Sequence, residues 1–217
     1  MSYDAVLFDN DGVLVEPAAS STLREAVLTA FAEFDAEPDA DHVDALCRSV
    51  TPDDLDRVCA AHDLDPAEFW EVRDGAASEA QLRELRAGRT TTYDDVGALE
   101  RFERPLGIVS SNQHATIEFM LDHFDLGRHF ETYYGRPPTI EAVRQKKPEP
   151  YFLERALADL GVEDALFVGD SESDVLAAVN AGLDSAFIRR PHRADYALSV
   201  DPTYEIEGLP EILPLVE

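Results

Sequence analysis

Three short runs constrain this chain more than any other feature of it: Ala5-Val6-Leu7-Phe8, Leu106-Gly107-Ile108-Val109 and Ala165-Leu166-Phe167-Val168. Each is apolar throughout, and each stops abruptly in polar residues. The first ends in Asp9-Asn10-Asp11-Gly12, the second in Ser110-Ser111-Asn112, and the third in Gly169-Asp170-Ser171 with Asp174 just beyond. A short apolar run without alternation reads as a strand buried on both faces. The segments between the later runs have helical period, and strands alternating with helices imply parallel pairing with helices on both sides. In such a sheet, ligands bind outside the carboxyl ends of the strands. If these strands are neighbours, their polar ends meet at one edge.

The Asp9/Asp11 pair needs its context, because this chain is crowded with acid. Asp-x-Asp recurs at Asp39/Asp41, Asp54/Asp56 and Asp63/Asp65. Those three fall in helix-period stretches, without a preceding β-like run or a following glycine, and read as solvated faces. The formal charge is −27, the acids are dispersed along the chain, and Lys146 and Lys147 are its only lysines. That pattern resembles the proteins of salt-in halophilic archaea, whose surfaces work under strong screening. Nucleic-acid binding is disfavoured without clustered basic side chains. The 217 residues contain no apolar run of the roughly 20 residues that span a bilayer, so no membrane association is expected. The amino-terminal residues enter a strand without a positive region, which reads as no signal peptide. Cys47 and Cys59 lack metal spacing and are expected to be buried free thiols, consistent with a cytoplasmic protein.

Ser20 and Ser21 supply a capping start for a helix to about residue 34. Residues 39–48, 52–62, 65–73 and 78–87 then read as short amphipathic helices, with a turn at Asp74-Gly75. Residues 16–90 are therefore expected to be an all-helical insertion in a core made of residues 1–15 and 91–217. Within that core we expect helices over 94–103, 113–124, 149–160 and 174–181, the last stopped by Gly182. A further strand is expected near 130–134 and a fifth over 185–189. Phe69 and Trp70 read as core of the insertion, Lys146 as solvated, and His42, His62, His114, His123, His129 and His192 as surface residues.

Carboxylates gathered at one point repel unless a hard cation joins them, and Mg²⁺ suits oxygen ligands and phosphate oxygens. Lys147-Pro148, entering a helix, could add a cation. Four motifs now stand in order: Asp9-Asn10-Asp11-Gly12-Val13-Leu14, Ile108-Val109-Ser110-Ser111-Asn112, Lys147-Pro148-Glu149-Pro150 and Val168-Gly169-Asp170-Ser171-Glu172-Ser173-Asp174. The ordered set resembles the haloacid dehalogenase superfamily of hydrolases. The insertion after the first motif is similar to the α-helical cap of its phosphoglycolate phosphatase and β-phosphoglucomutase branch.

The resemblance implies an α/β fold, a Rossmann-like parallel sheet of five core strands, and Mg²⁺-dependent phosphoryl chemistry on a small phosphorylated metabolite. It implies Asp9 as nucleophile and Asp11 as acid and base. Asp9, the carbonyl of Asp11, Asp170 and Asp174 would hold Mg²⁺. Ser111 with Asn112 would contact the phosphoryl oxygens, with Ser110 as an alternative register, and Lys147 would offset their charge. The dehalogenase branch lacks the second aspartate, so Asp11 favours a phosphatase. A phosphomutase, a 2-haloacid dehalogenase and a receiver-like phospho-switch are the alternatives, and a monomer or homodimer is expected. None of the insertion's basic candidates, Arg48, Arg57, Arg73, Arg86 and Arg89, stands in a nameable motif.

Overall fold

In the computed structural model, which describes residues 3–216, the buried runs become neighbours. Strands β1 (Ala5–Phe8), β2 (Leu106–Gln113), β3 (Thr132–Arg136), β4 (Ala165–Gly169), β5 (Asp184–Ile188) and β6 (Tyr204–Ile206) form one sheet in the order β3-β2-β1-β4-β5-β6. Every pairing is parallel. Val6 lies opposite Leu106 on one side and Leu166 on the other, so the ends of β1, β2 and β4 sit side by side. The strand order reverses at β1, which makes its carboxyl end the expected ligand crevice.

Successive residues of a strand point to opposite faces. Val6 and Phe8 join one apolar cluster with Ile117 and Met120 of α5 (His114–His123). Ala5 and Leu7 join another with Leu153 of α7 (Tyr151–Leu160) and Ala177 of α8 (Glu172–Ala181). Helices cover both faces, which is why these strands carry no alternating polar residues. Each fully buried Leu or Phe here contributes roughly 1.5–3 kcal/mol.

Between β1 and β2 come α1 (Ser20–Glu33), α2 (Ala40–Ala45), α3 (Pro52–Ala61) and α4 (Pro66–Arg86). They enclose their own apolar cluster, which includes Phe31, Leu46, Leu55, Phe69 and Trp70. Asp39, Thr51 and Asp65 cap α2, α3 and α4 by accepting backbone N–H groups. Cys59 is buried and Cys47 half-buried, both as free thiols. Among the described residues no helix is long and apolar enough to cross a membrane. Met1 and Ser2, part of the segment expected to lack a leader, lie outside the described residues.

Several elements differ from expectation. The two helices expected on either side of Asp74-Gly75 are one helix, α4, of 21 residues. A glycine inside a helix costs about 1 kcal/mol, yet the turn does not form, because Asp74 is fully buried and bonded across to β3. The helix expected over 94–103 is a tighter 3-10 segment, Val96–Arg101. The first helix begins at Ser20 without a side-chain cap, so neither serine plays that part. β2 does not stop at Ser110 but runs on to Gln113 with an irregularity in its register. The sheet gains a sixth strand, β6, beyond the expected five. Two short helices, α6 (Ile140–Gln145) and α9 (Leu213–Val216), were also not anticipated.

Candidate active site

The polar ends of β1, β2 and β4 open into one cavity of about 500 Å³, which α4 and the loop after α2 cover from the other side. Asp9 leaves β1 with its N–H bonded to the carbonyl of Val168. Gly12 follows at φ 85°, in the left-handed region that favours glycine. A Cβ at this position would also run into the carboxylate of Asp170, so the tight turn and the neighbouring acid both demand glycine. Arg190 braces the turn from β5 by donating to the carbonyl of Val13 at 2.6 Å while pairing with Asp95.

Lys147 sits at the centre of the acids. Its Nζ lies 2.9 Å from Oδ1 of Asp9 and 2.6 Å from Oδ1 of Asp174. Burial pulls its pKa down, but Asp174 and Asp9 outweigh burial and hold the ammonium above its ordinary range. Asp9 is pushed up to about 8, first by burial and then by the neighbouring acids, against the pull of Lys147. Oδ1 of Asp9 also accepts the N–H of Asn10 at 2.7 Å. Asp9, Asp170 and Asp174 are buried and offer three carboxylate oxygens within 4.8 Å of one another. That donor set suits a hard divalent cation such as Mg²⁺. Asp174 keeps Oδ2 on the N–H of Ser171, which closes a capping box at the start of α8.

Asp11 differs from Asp9. Oδ2 receives the amide of Asn112 at 3.1 Å and the hydroxyl of Ser110 at 3.4 Å. Oδ1 is buried and accepts no hydrogen bond among the described residues. Burial raises the pKa of this carboxyl against the amide of Asn112, which favours a protonated oxygen. Ser111 lines the cavity, and its carbonyl is held by Arg136 of β3 at 3.0 Å. Asn112 is not placed as expected. Both hydrogens of its amide are spent, one on Asp11 and the other on Oε1 of Gln81 at 2.8 Å. It therefore faces Asp11, as does the hydroxyl of Ser110, while Ser111 lines the cavity.

Some contributors lie outside the expected set. His192 is exposed, as expected, and its Nε2 lies 2.7 Å from Oδ2 of Asp170, which Nε of Arg193 reaches at 2.9 Å. Burial raises the pKa of Asp170, and these two partners outweigh it to leave the group below its ordinary value. Arg189, Arg190 and Arg193 are a dense basic cluster at the end of a strand in an acid chain, and that signal was available in the sequence. Lys146 was expected to be solvated. Instead its Nζ donates to the carbonyl of Val50 at 2.7 Å on the cavity wall, and burial pulls its pKa down to about 8. Among the basic candidates of the inserted helices, Arg48 and Arg73 line the cavity. Arg57 pairs with Asp54, Arg89 with Glu84, and Arg86 stacks on Phe119.

Six of the 18 basic residues line this cavity, against four of the 45 acids. The lining is thus locally basic in an acidic chain. The family model for haloacid dehalogenase-like hydrolases matches residues 3–182. The chain belongs to that family. Relatives include pyrophosphatase PpaX of Bacillus velezensis, 30% identical over 60% of this chain and 60% of its own length. Phosphoglycolate phosphatase 1 of Pseudomonas aeruginosa is 26% identical over 98% of this chain and 79% of its own length. The chain thus spans less than two thirds of the pyrophosphatase it matches. CbbY from Rhodobacter sphaeroides, solved in complex with phosphate, shares the fold with a TM-score of 0.72 and 20% identity over 97% of this chain and 96% of that one.

Proposed function

We propose that this hydrolase is a Mg²⁺-dependent phosphatase that cleaves a small phosphorylated metabolite through an aspartyl-phosphate on Asp9. One observation carries the reading. A carboxylate paired with a buried lysine shares its cavity with a second carboxyl, Asp11, whose buried Oδ1 has no hydrogen-bond partner among the described residues. The first can attack and the second can carry a proton. Phosphoglycolate phosphatase among the relatives, and a fold shared with a protein solved with phosphate, support it. We read residues 16–90 as a cap over a core of residues 1–15 and 91–217.

In this reading the substrate phosphoryl group enters against Ser111 and Ser110, with Lys147 balancing its charge. Asp9 attacks phosphorus, the bond to the leaving oxygen breaks, and Asp11 delivers its proton to that oxygen. Asp11 then takes a proton from water, which attacks the aspartyl-phosphate, frees inorganic phosphate and restores Asp9. Mg²⁺, held by Asp9, Asp170, Asp174 and the carbonyl of Asp11, would supply electrostatic stabilisation of the phosphoryl oxygens. Asp170 is kept anionic for that part by His192 and Arg193.

The test is release of p-nitrophenol from p-nitrophenyl phosphate in molar KCl. Turnover is expected with Mg²⁺, lost with a chelator and restored by excess Mg²⁺. A stable phosphoprotein formed from a small phosphodonor, with no turnover, would instead indicate a phospho-switch.

The far wall of the cavity bears on the substrate. Arg48 and Lys146 reach it without a carboxylate partner among the described residues, each donating to a backbone carbonyl, of Ala18 and Val50. In so acidic a chain, unneutralised cations suit a substrate with a second acidic group. Hydrogen bonds to charged groups contribute about 1.5–3 kcal/mol. Arg48→Ala is therefore expected to raise KM for phosphoglycolate or pyrophosphate by roughly tenfold or more, with little change for p-nitrophenyl phosphate. Equal changes on both substrates would remove Arg48 from recognition.

A further inference from the structure

The two amides of Gln81 and Asn112 face each other between α4 and the end of β2. Asn112 Nδ2 donates to Gln81 Oε1 at 2.8 Å, and Gln81 Nε2 donates back to Asn112 Oδ1 at 3.3 Å. Backbone groups fix which end of each amide is which. The N–H of Gln113, a donor only, points at Oδ1 of Asn112 from 2.9 Å, so the NH₂ of Asn112 must be on the other side. The carbonyl of Ala77, an acceptor only, receives Nε2 of Gln81 at 3.2 Å, so Oε1 of Gln81 faces Asn112. The amide of Asn112 consequently presents its second hydrogen to Oδ2 of Asp11 at 3.1 Å. Gln81 itself is 5% exposed and has its polar atoms spent within this group.

We propose that Gln81 is a positioning residue of the reaction: it clamps the Asn112 amide, which in turn holds Oδ2 of Asp11 and leaves Oδ1 to carry the proton toward the leaving oxygen. The inference rests on the acid role given to Asp11 above. Gln81 reaches Asp11 only through Asn112, so its effect belongs to proton delivery and not to attack by Asp9. Without the clamp only the N–H of Gln113 opposes rotation of the Asn112 amide, and a rotated amide presents an oxygen to a carboxyl oxygen. Asp11 then loses the bond that selects its protonated face. Hydrogen bonding between side chains in a shared, water-poor site is where such losses are largest.

Leaving-group acidity separates this role from a structural one. Phenyl phosphate and p-nitrophenyl phosphate have nearly the same shape. Phenol ionises near pH 10, as tyrosine does, and needs a proton as it leaves, whereas p-nitrophenol is far more acidic and hardly needs one. The experiment compares kcat on the two esters, with Mg²⁺ in molar KCl, for wild type, Gln81→Met and Asp11→Asn. Gln81→Met is expected to slow phenyl phosphate about tenfold while slowing p-nitrophenyl phosphate less than about threefold. The comparison is a ratio within one preparation, so a partly unfolded variant still reports it. Equal losses on both esters, or no loss on either, overturn the role of Gln81. Asp11→Asn is the control, expected to shift the ratio at least as far. If Asp11→Asn moves the ratio and Gln81→Met does not, only this inference fails. If neither moves it, the acid role of Asp11 fails, and the inference with it.

Discussion

Asp9→Asn is expected to lower turnover by at least about 10⁴-fold, the scale on which loss of a covalent nucleophile is felt. The size follows from the reaction. Uncatalysed hydrolysis of phosphate monoesters is among the slowest of biological reference reactions, and enzymes lower such barriers by roughly 20 kcal/mol or more. An amide in place of the carboxylate keeps the shape of β1 and its turn but offers no anionic oxygen to attack phosphorus. The fold is expected to survive. Lys147 retains Asp174 at 2.6 Å, and removing one of four neighbouring acids relieves repulsion between them. A melting temperature within a few degrees of wild type, with turnover absent, is the expected pair of results. Residual activity above about 1% of wild type, on the same scale of loss, would take the nucleophile's part from Asp9.

The second large effect is on stability. Asp74 is fully buried in α4 and accepts Nη1 of Arg136 at 2.8 Å and the amide of Gln113 at 2.7 Å, with Arg73 at 3.7 Å. Arg136 and Arg73 are each 4% exposed and flank the ring of Trp70 at 4.8 and 5.2 Å. One carboxylate thus serves two buried guanidinium groups and ties α4 to β3. Asp74→Ala leaves both cations without it and is expected to cost about 3–5 kcal/mol, the usual penalty for stranding a buried charge. Urea unfolding in molar KCl measures it, with a lower midpoint and an unchanged slope. Salt screens buried pairs poorly, so the loss should persist at high ionic strength. The double replacement Asp74→Leu with Arg136→Met should recover part of it, since apolar pairs of similar volume often replace buried ion pairs at no cost, while Arg73 keeps only its backbone carbonyl partners. A loss below about 1 kcal/mol for Asp74→Ala would mean that water reaches these groups.

What was legible in the sequence follows from the range of each signal. The strands β1, β2 and β4 announce themselves because burial on both faces leaves only apolar residues, and their abrupt polar ends mark the cavity. Asp9, Asp11, Asp170 and Asp174 were readable for that reason, Lys147 from its place before Pro148 and a helix, and the structure brings all five into one cluster. Asp74-Gly75 was misread because a turn signal is local, whereas Arg136, the partner that keeps Asp74 helical, lies 62 positions away. Lys146 was misplaced for the same reason, and the contact made by the exposed His192 was missed. Their carbonyl and carboxylate partners are set by tertiary packing, although the basic cluster around His192 was a local signal. The contact of Asn112 with Gln81 was not readable, because Gln81 comes from another element and claims one of its hydrogens. The three-residue β6 is too short for its alternation to stand out.

Trapping the covalent intermediate tests the central claim most directly. The enzyme is mixed with p-nitrophenyl phosphate and Mg²⁺, quenched within milliseconds and treated with borohydride, which reduces an aspartyl-phosphate to homoserine. Peptide mass spectrometry should then find homoserine at position 9 and nowhere else, in wild type and not in Asp9→Asn. Homoserine at another aspartate, or steady turnover with position 9 unmodified at every quench time, would contradict the account.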